Sequence, residues 1–199
     1  MQYHEIELLG SAARSDQWPV SDLPELIFAG RSNAGKSSLI NGLTNRNNAA
    51  YVGKTPGKTK LLNFFEVDQR YVFCDAPGYG YAKGGTYAAV SFGDLLEPYF
   101  EQRETLCGMV LVLDIRRVPN DDDLTMVNYA RMVHLPVIAA CVKSDKLSRS
   151  EQNKQLKLIT QALNISSSSA VPCSSIKKEG LDAVWKLIHQ MTENQKKIV

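Results

Sequence analysis

The sequence has no apolar run approaching the roughly 20 residues that cross a bilayer. Its opening, "MQYHEIELLG", lacks a basic stretch followed by an apolar one, so no secretory signal is expected there. Both absences point to a cytoplasmic protein with no membrane partner. There is no C-x-x-C pair: Cys74, Cys107, Cys141 and Cys173 lie singly, within or beside apolar runs, spaced about one strand–helix unit apart. They read as buried, reduced thiols rather than metal ligands. His4, His134 and His189 are isolated, without zinc-type spacing. Net charge is also small, +2, which argues against general nucleic-acid binding. The charge is uneven, however. Asp121–Asp123 form an acidic knot, and Lys143, Lys146, Arg149, Lys154 and Lys157 a basic stretch, both read as solvated surface.

What is present is a 199-residue chain, 44% apolar, long enough for one domain with a substantial core. Short apolar runs read as strands: "ELIFA" (25–29), "LLNFFEV" (61–67), "YVFCD" (71–75), "GMVLVLD" (108–114), "PVIAACV" (136–142) and "AVPCS" (170–174). Helical patterns lie between most of them, at 36–44, 87–103, 121–133, 149–163 and 180–192. "EVDQRY" is too short for a crossover, so 61–67 should be the one antiparallel strand. The expected fold is an α/β three-layer P-loop NTPase G domain, with a mostly parallel six-stranded sheet and helices on both faces. Residues 1–23 read as an N-terminal extension, "EIELLG" being a candidate edge strand. Residues 24–194 form the domain and 195–199 a basic tail.

"GRSNAGKSS" follows the first strand and opens a helix, the context a phosphate loop requires. Across Gly30, Arg31, Ser32, Asn33, Ala34, Gly35, Lys36 and Ser37, backbone N–H groups can form a nest for phosphate oxygens, aided by the helix dipole. Gly30 and Gly35 are expected to let the backbone approach closely. Lys36 would reach the β- and γ-phosphates, and Ser37 would offer its hydroxyl to Mg2+. "DAPG" (Asp75, Ala76, Pro77, Gly78) stands at a strand's C-terminal end, where ligand crevices open. Asp75 can hold Mg2+ and Gly78 can donate its N–H to a γ-phosphate. "VKSD" (Val142, Lys143, Ser144, Asp145) ends another strand. The Asp145 carboxylate can accept from the N1–H and N2–H₂ edge of guanine, selecting GTP and GDP over adenine nucleotides, while the Lys143 stem lies along the base. "CSS" (Cys173, Ser174, Ser175) follows the last strand, and its N–H groups could meet guanine O6. The four elements occur in chain order, each at a strand's C-terminal end, and converge on one crevice.

At "FAGRSNAGKSSLIN", "KTPGKTKLLNFFEV", "DAPGYGYAK", "LVLDIR" and "CSSIKKEGLD" the chain resembles the translation-factor-related GTPases. More closely, it resembles the bacterial EngB family, also called YihA or YsxC, from about Leu23 to Gln190. The resemblance implies a magnesium-dependent GTPase needed to assemble the large ribosomal subunit, with a link to cell division and septation. It implies large-subunit particles or their precursors as partner. It also places Gly57, Lys58, Thr59, Lys60 and Leu61 in a nucleotide-sensing switch, with Thr59, rather than Thr55, ligating Mg2+ beside the γ-phosphate. Lys36, Thr59 and Asn33 are thereby the candidate catalytic residues. Asn33 resembles the asparagine of potassium-activated GTPases, where it helps hold K+; a loop-capping role is the alternative. Two departures stand out. Val142 replaces the usual Asn or Thr and cannot bond its side chain to the phosphate loop. Tyr79 stands where Ras-like GTPases carry a water-orienting glutamine, so unassisted hydrolysis should be slow, on the order of 10⁻⁴ to 10⁻³ per second. A monomer is expected. Lys54, Lys58, Lys60 and Lys83, with Tyr79 and Tyr81 for stacking on unpaired bases, form the expected ribosomal contact surface. A nucleotide-dependent binding module with incidental hydrolysis is the competing reading. An ATP-dependent kinase is a third, disfavoured by Asp145.

Overall fold

A computed structural model describes residues 4–46, 61–80 and 86–195. The elements run β1 (Ile6–Ala12), β2 (Glu25–Gly30), α1 (Lys36–Thr44), β3 (Leu62–Val67), β4 (Tyr71–Asp75), α2 (Thr86–Gln102), β5 (Leu106–Asp114) and α3 (Asp121–Met132). They continue through β6 (Val137–Val142), α4 (Arg149–Leu163), β7 (Ala170–Pro172) and α5 (Leu181–Gln195). The strands form one sheet in the order β1-β3-β4-β2-β5-β6-β7. Six strands were expected, with the N-terminal run as a candidate edge strand, and seven are present among the described residues: that run pairs antiparallel with β3 and becomes the sheet's edge. Because β3 also runs antiparallel to β4, it remains the single reversed strand. The β3–β4 connection is tight: three residues separate the paired Val67 and Tyr71, with Asp68 and Gln69 both left-handed and Arg70 N–H donating to Val67 O.

β2 and β5 are buried along their whole length, as central parallel strands covered on both faces must be. Their side chains alternate between two cores. Ile27, Met109 and Leu111 join Tyr99, Val127 and Ile159 beneath α2, α3 and α4. Leu26, Phe28 and Val110 join Leu39, Ile40, Val184 and Ile188 beneath α1 and α5.

Two polar anchors fix helices to this sheet. At the start of β2, the fully buried Glu25 carboxylate accepts from Tyr99 Oη, from Arg103 Nε and Nη2 at 3.0 and 2.8 Å, and from Thr105 Oγ1 at 3.3 Å. Arg103 also donates to Pro19 O and lies 5.9 Å over the Trp18 ring, which meets Tyr99 edge-on. At the opposite face, Trp185 Nε1 on α5 donates to Leu43 O in the last turn of α1 at 2.9 Å. His4 and His189, far apart in sequence, both stack on that indole, at 4.7 and 5.5 Å between centroids.

Candidate nucleotide-binding site

The phosphate loop begins where β2 leaves the sheet. Gly30 has a different reason from the one expected. A Cβ there would stand 2.6 Å from Val112 O, so the glycine lets β2 and β5 approach. Gly35 does require its conformation: it caps α1 with φ +119°. Asn33 has φ +64°, a left-handed geometry that asparagine tolerates. Among the described residues its side chain bonds no loop N–H, so the loop-capping alternative gains no support, and backbone geometry alone gives asparagine a place there. Ala34 N–H donates to Arg31 O at 3.0 Å, which closes the loop's first turn.

Lys36 is the first residue of α1, and its ammonium forms an ion pair with Asp75 at the end of β4. Both side chains are nearly buried, so the pair spans the head of the helix and the sheet's C-terminal edge. Ser37 follows, half-buried in the first turn of α1. After Asp75, Ala76 N–H donates to Phe28 O at 3.1 Å. Gly78 lies so close to the phosphate loop that a Cβ would stand 2.8 Å from Ser32 Cα. Tyr79 continues the contact: its N–H donates to Gly30 O and its carbonyl accepts from Ser32 N–H at 2.9 Å.

Tyr79 was expected to offer its ring to RNA. It is only 6% exposed, and its hydroxyl donates to Asp123 Oδ1 at 2.7 Å. Burial first, and then the Asp123 carboxylate, push this phenol far above its usual pKa. Asp123, read from sequence as solvated with Asp121 and Asp122, is instead buried, while its two neighbours are exposed. It completes the capping box of α3, accepting from Asn120 N–H at 2.9 Å as Asn120 Oδ1 accepts from Asp123 N–H.

Beyond the phosphate loop lies the base-recognition end. Lys143 has φ +63°, which turns its side chain back along the loop: Nζ donates to Asn33 O at 3.2 Å and to Asp114 Oδ2 at 3.0 Å. Val142 is buried beside Gly35, whose Cβ position lies 3.4 Å from Val142 Cγ2. Asp145 Oδ1 accepts from Ser174 Oγ at 2.6 Å, and Oδ2 stands 3.4 Å from Lys146 Nζ. The Ser174 hydroxyl is the first cause of a lowered Asp145 pKa, with Lys146 adding to it. Of the three expected O6 donors, two are spent. Cys173 N–H donates to Cys141 O, and Ser174 N–H donates to Glu179 O. That corrects Cys173 and Ser174 as N–H donors and leaves Ser175, which packs against Gly42 of α1. Ser144 N–H ties the two base-end loops together through Cys173 O at 3.1 Å. Of the expected switch residues, Gly57, Lys58, Thr59 and Lys60 lie outside the described residues, as do Lys54, Tyr81 and Lys83; Leu61 leads into β3.

The family model described as a 50S ribosome-binding GTPase, MMR_HSR1, matches residues 25–143, from the first residue of β2 to the lysine that bonds Asn33. The chain is 44% identical to the "Probable GTP-binding protein EngB" of Lactiplantibacillus plantarum, across 96% of this chain and 98% of that one. It belongs to the EngB family of GTP-binding proteins. The protein of the same name from Limosilactobacillus reuteri is 41% identical across 96% of this chain and 97% of its own. The fold agrees with a crystal structure of a probable GTP-binding protein engB, at TM-score 0.71 and 22% identity over 85% of this chain and 99% of that one. It also resembles translation elongation factor SelB of Methanococcus maripaludis in complex with the GTP analogue GppNHp. There the TM-score is 0.60 and the identity 19%, over 86% of this chain and 34% of that one.

This EngB chain is therefore a P-loop GTPase, and the geometry adds residues that sequence reasoning left without a role. Asp114, at the end of β5, anchors Lys143 and accepts from Arg116 Nε and Nη2 at 2.8 and 2.6 Å. Arg116 first, with Lys143 assisting, holds this carboxyl well below the usual carboxylate range, although burial opposes them. The signal was legible: a carboxylate at a central strand's C-terminal end, the feature that singles out Asp75. Asp123 carried no such signal, because the tyrosine it holds comes from a distant loop.

Proposed function

We propose that this EngB protein binds GTP and GDP with Mg2+ at the phosphate loop and uses the nucleotide state to act in assembly of the large ribosomal subunit. The observation that carries this is the convergence of two lysines on one loop: Lys36, at its end, pairs with Asp75, and Lys143, two residues before Asp145, donates to Asn33 O. The ribosomal partner is supported by the family's description as ribosome-binding GTPases.

In this reading the loop N–H groups and the N-terminus of α1 hold the phosphates, and Lys36 leaves Asp75 to meet the β- and γ-oxygens. An ammonium already resting on Asp75 marks a position that accepts a cation. Asp75, Ser37 and Thr59 are oxygen donors, the set that suits Mg2+, with phosphate and water filling the remaining positions. Bound there, Mg2+ would neutralise phosphate charge as it develops. Thr59 would engage only when the γ-phosphate is present, which ties its segment to nucleotide state. Asp145 would accept from the guanine edge, held in aim by Ser174, and Ser175 N–H would meet O6. Asn33 remains the candidate to hold K+ against the phosphates, supplying charge that an arginine finger provides elsewhere.

A second reading has its own support. Tyr79, at the glutamine position, has its hydroxyl spent on Asp123, so no side chain there is free to orient water. Binding would then be the function and slow hydrolysis incidental. Co-sedimentation with large-subunit particles tests the main reading: a GTP analogue should give tighter association than GDP, and equal association would refute it. Single-turnover hydrolysis with and without particles separates the two readings. Stimulation by particles supports the GTPase switch, and its absence the binding module. Repeating it in K+ and Na+ at matched ionic strength tests Asn33.

A further inference from the structure

A cavity of about 400 Å³ opens against the outer side of the phosphate loop. It shares Arg31, Ser32, Asn33, Ala34 and Lys143 with the proposed nucleotide site, but Lys36, Ser37, Asp75 and Asp145 do not line it, so it opens beside that site. Its far wall is the end of β5 and the loop Arg116–Pro119 that leads into α3. The Tyr79–Asp123 hydrogen bond closes one end. A volume of this size lies within the roughly 300–1,000 Å³ of small-molecule sites.

Four cations and two carboxylates face this space: Arg31, Arg116, Arg117 and Lys143 against Asp114 and Asp123. Most are already committed. Asp114 is held by Arg116 and Lys143, and Asp123 by Tyr79 and the Asn120 N–H. Arg31 and Arg117 remain. Among the described residues neither guanidinium makes a hydrogen bond or an ion pair, although Arg31 is half-buried. Asp122 stands across Gly80 from Arg31 without closing a pair. A half-buried, unpaired guanidinium beside a cavity calls for an anion, and its planar fork suits phosphate. The rim next to Arg117 is apolar instead: Val118 is 53% exposed and Pro119 follows it, above a floor of Val112 and Leu113.

We propose that this cavity binds one nucleotide unit of a single-stranded RNA, with its phosphate on Arg31 and Arg117 and its base against Val118 and Pro119. Two unpaired forks beside an apolar ledge fit a phosphate joined to a flat ring, and single-stranded bases are the part of RNA that can be splayed into such a space. An acidic peptide would satisfy the arginines but leave the ledge and the volume unfilled. Naming ribosomal RNA as the source rests on the function proposed above; binding of an isolated oligonucleotide does not. Occupancy would act on the nucleotide site directly. Arg31 O closes the first turn of the phosphate loop, and Lys143 in the cavity wall holds Asn33 O.

The test is anisotropy of a fluorescein-labelled single-stranded RNA of about ten nucleotides with the full-length protein saturated with GDP. Arg117→Glu should weaken binding about tenfold and lower the salt dependence by roughly one phosphate contact. Its GDP affinity and melting temperature should be unchanged. Val118→Asp should weaken binding as well. Lys154→Glu, the same charge change on the exposed face of α4, should cost less than about twofold, as expected of a screened, distant charge. Equal losses for Arg117→Glu and Lys154→Glu would mean a general field and overturn the proposal. So would an oligoglutamate or an abasic RNA that binds as tightly. Loss of oligonucleotide binding and loss of ribosomal co-sedimentation are separate results. The first, in the unmutated protein, overturns this site alone. The second overturns the ribosomal reading and leaves an RNA site standing.

Discussion

Tyr79 and Asp123 meet through a 2.7 Å hydrogen bond that joins the segment after β4 to the first turn of α3. Both residues are buried, and Asp123 also caps its helix. The segment that leaves Asp75 is thus fastened at Tyr79 to two places at once: by its backbone to the phosphate loop, and by its hydroxyl to α3.

Removing the hydroxyl should loosen the second fastening only. Tyr79→Phe is expected to destabilise the fold by about 1–2 kcal/mol, because the Asp123 carboxylate loses one buried donor and keeps the Asn120 N–H. Thermal melting measures this. The unassisted hydrolysis rate should change by no more than about twofold, since a phenol facing α3 orients no water. A hydrolysis rate that collapses in Tyr79→Phe would place the phenol in the chemistry.

Asp145→Asn should weaken GTP binding by roughly 1.5–3 kcal/mol through loss of a charged bidentate contact. It should improve binding of xanthosine triphosphate, whose carbonyl replaces the guanine amine and matches the new amide. Competition between the two nucleotides gives the result directly. Ser174→Ala should weaken GTP in the same direction but less, because it removes the hydroxyl that aims the carboxylate rather than the carboxylate itself.

Gly78→Ala drives a methyl into the backbone of Ser32, with no flexible side chain to give way. The phosphate loop and the segment after Asp75 must then part. The expected result is a loss of at least about tenfold in affinity for both GDP and a GTP analogue, alongside destabilisation typical of overpacking, about 1–3 kcal/mol. Retention of wild-type affinity in a calorimetric titration would show that the contact is slack.

The four cysteines are buried, and burial pushes Cys107, Cys141 and Cys173 up to about 12. A thiol whose folded pKa is raised favours the fold while protonated. Its contribution is therefore complete below the unfolded value, about 8.5, and is lost as pH rises from there towards 12. Stability by denaturant titration should fall from about pH 9 upward. At pH 8 the native protein should resist a thiol reagent that labels all four cysteines after unfolding.

Much of this was legible in the sequence because the relevant signals were local. Strand β4 and helices α1 and α4 lie where the periodicity put them, with α4 opened by the Ser148–Glu151 capping box. Lys36, Asp75 and Asp145 each stand at the end of a regular element, where a chain-order argument can find them. The rest depended on partners distant in sequence. "EIELLG" could be read as a candidate edge strand, but its partner β3, and so its place as a seventh strand, lies more than fifty residues away. Gly30 resembles a phosphate-loop glycine, but the atom that requires it is Val112 O on another strand. Tyr79 and Asp123 are 44 residues apart, and each alone reads as a surface residue.

The indole of Trp185 is bonded to the final turn of α1 and stacked with two imidazoles, while Trp18 lies on the opposite core against Arg103, the partner of Glu25. These are the chain's two tryptophans. The protein therefore carries its own pair of optical probes, one attached to the rear of the helix whose front is proposed to hold the phosphates and one to the clamp on α2. With Trp18→Phe, nucleotide-driven movement of α1 would be read from Trp185 emission alone. Nucleotide titrations can thus be followed without an added label.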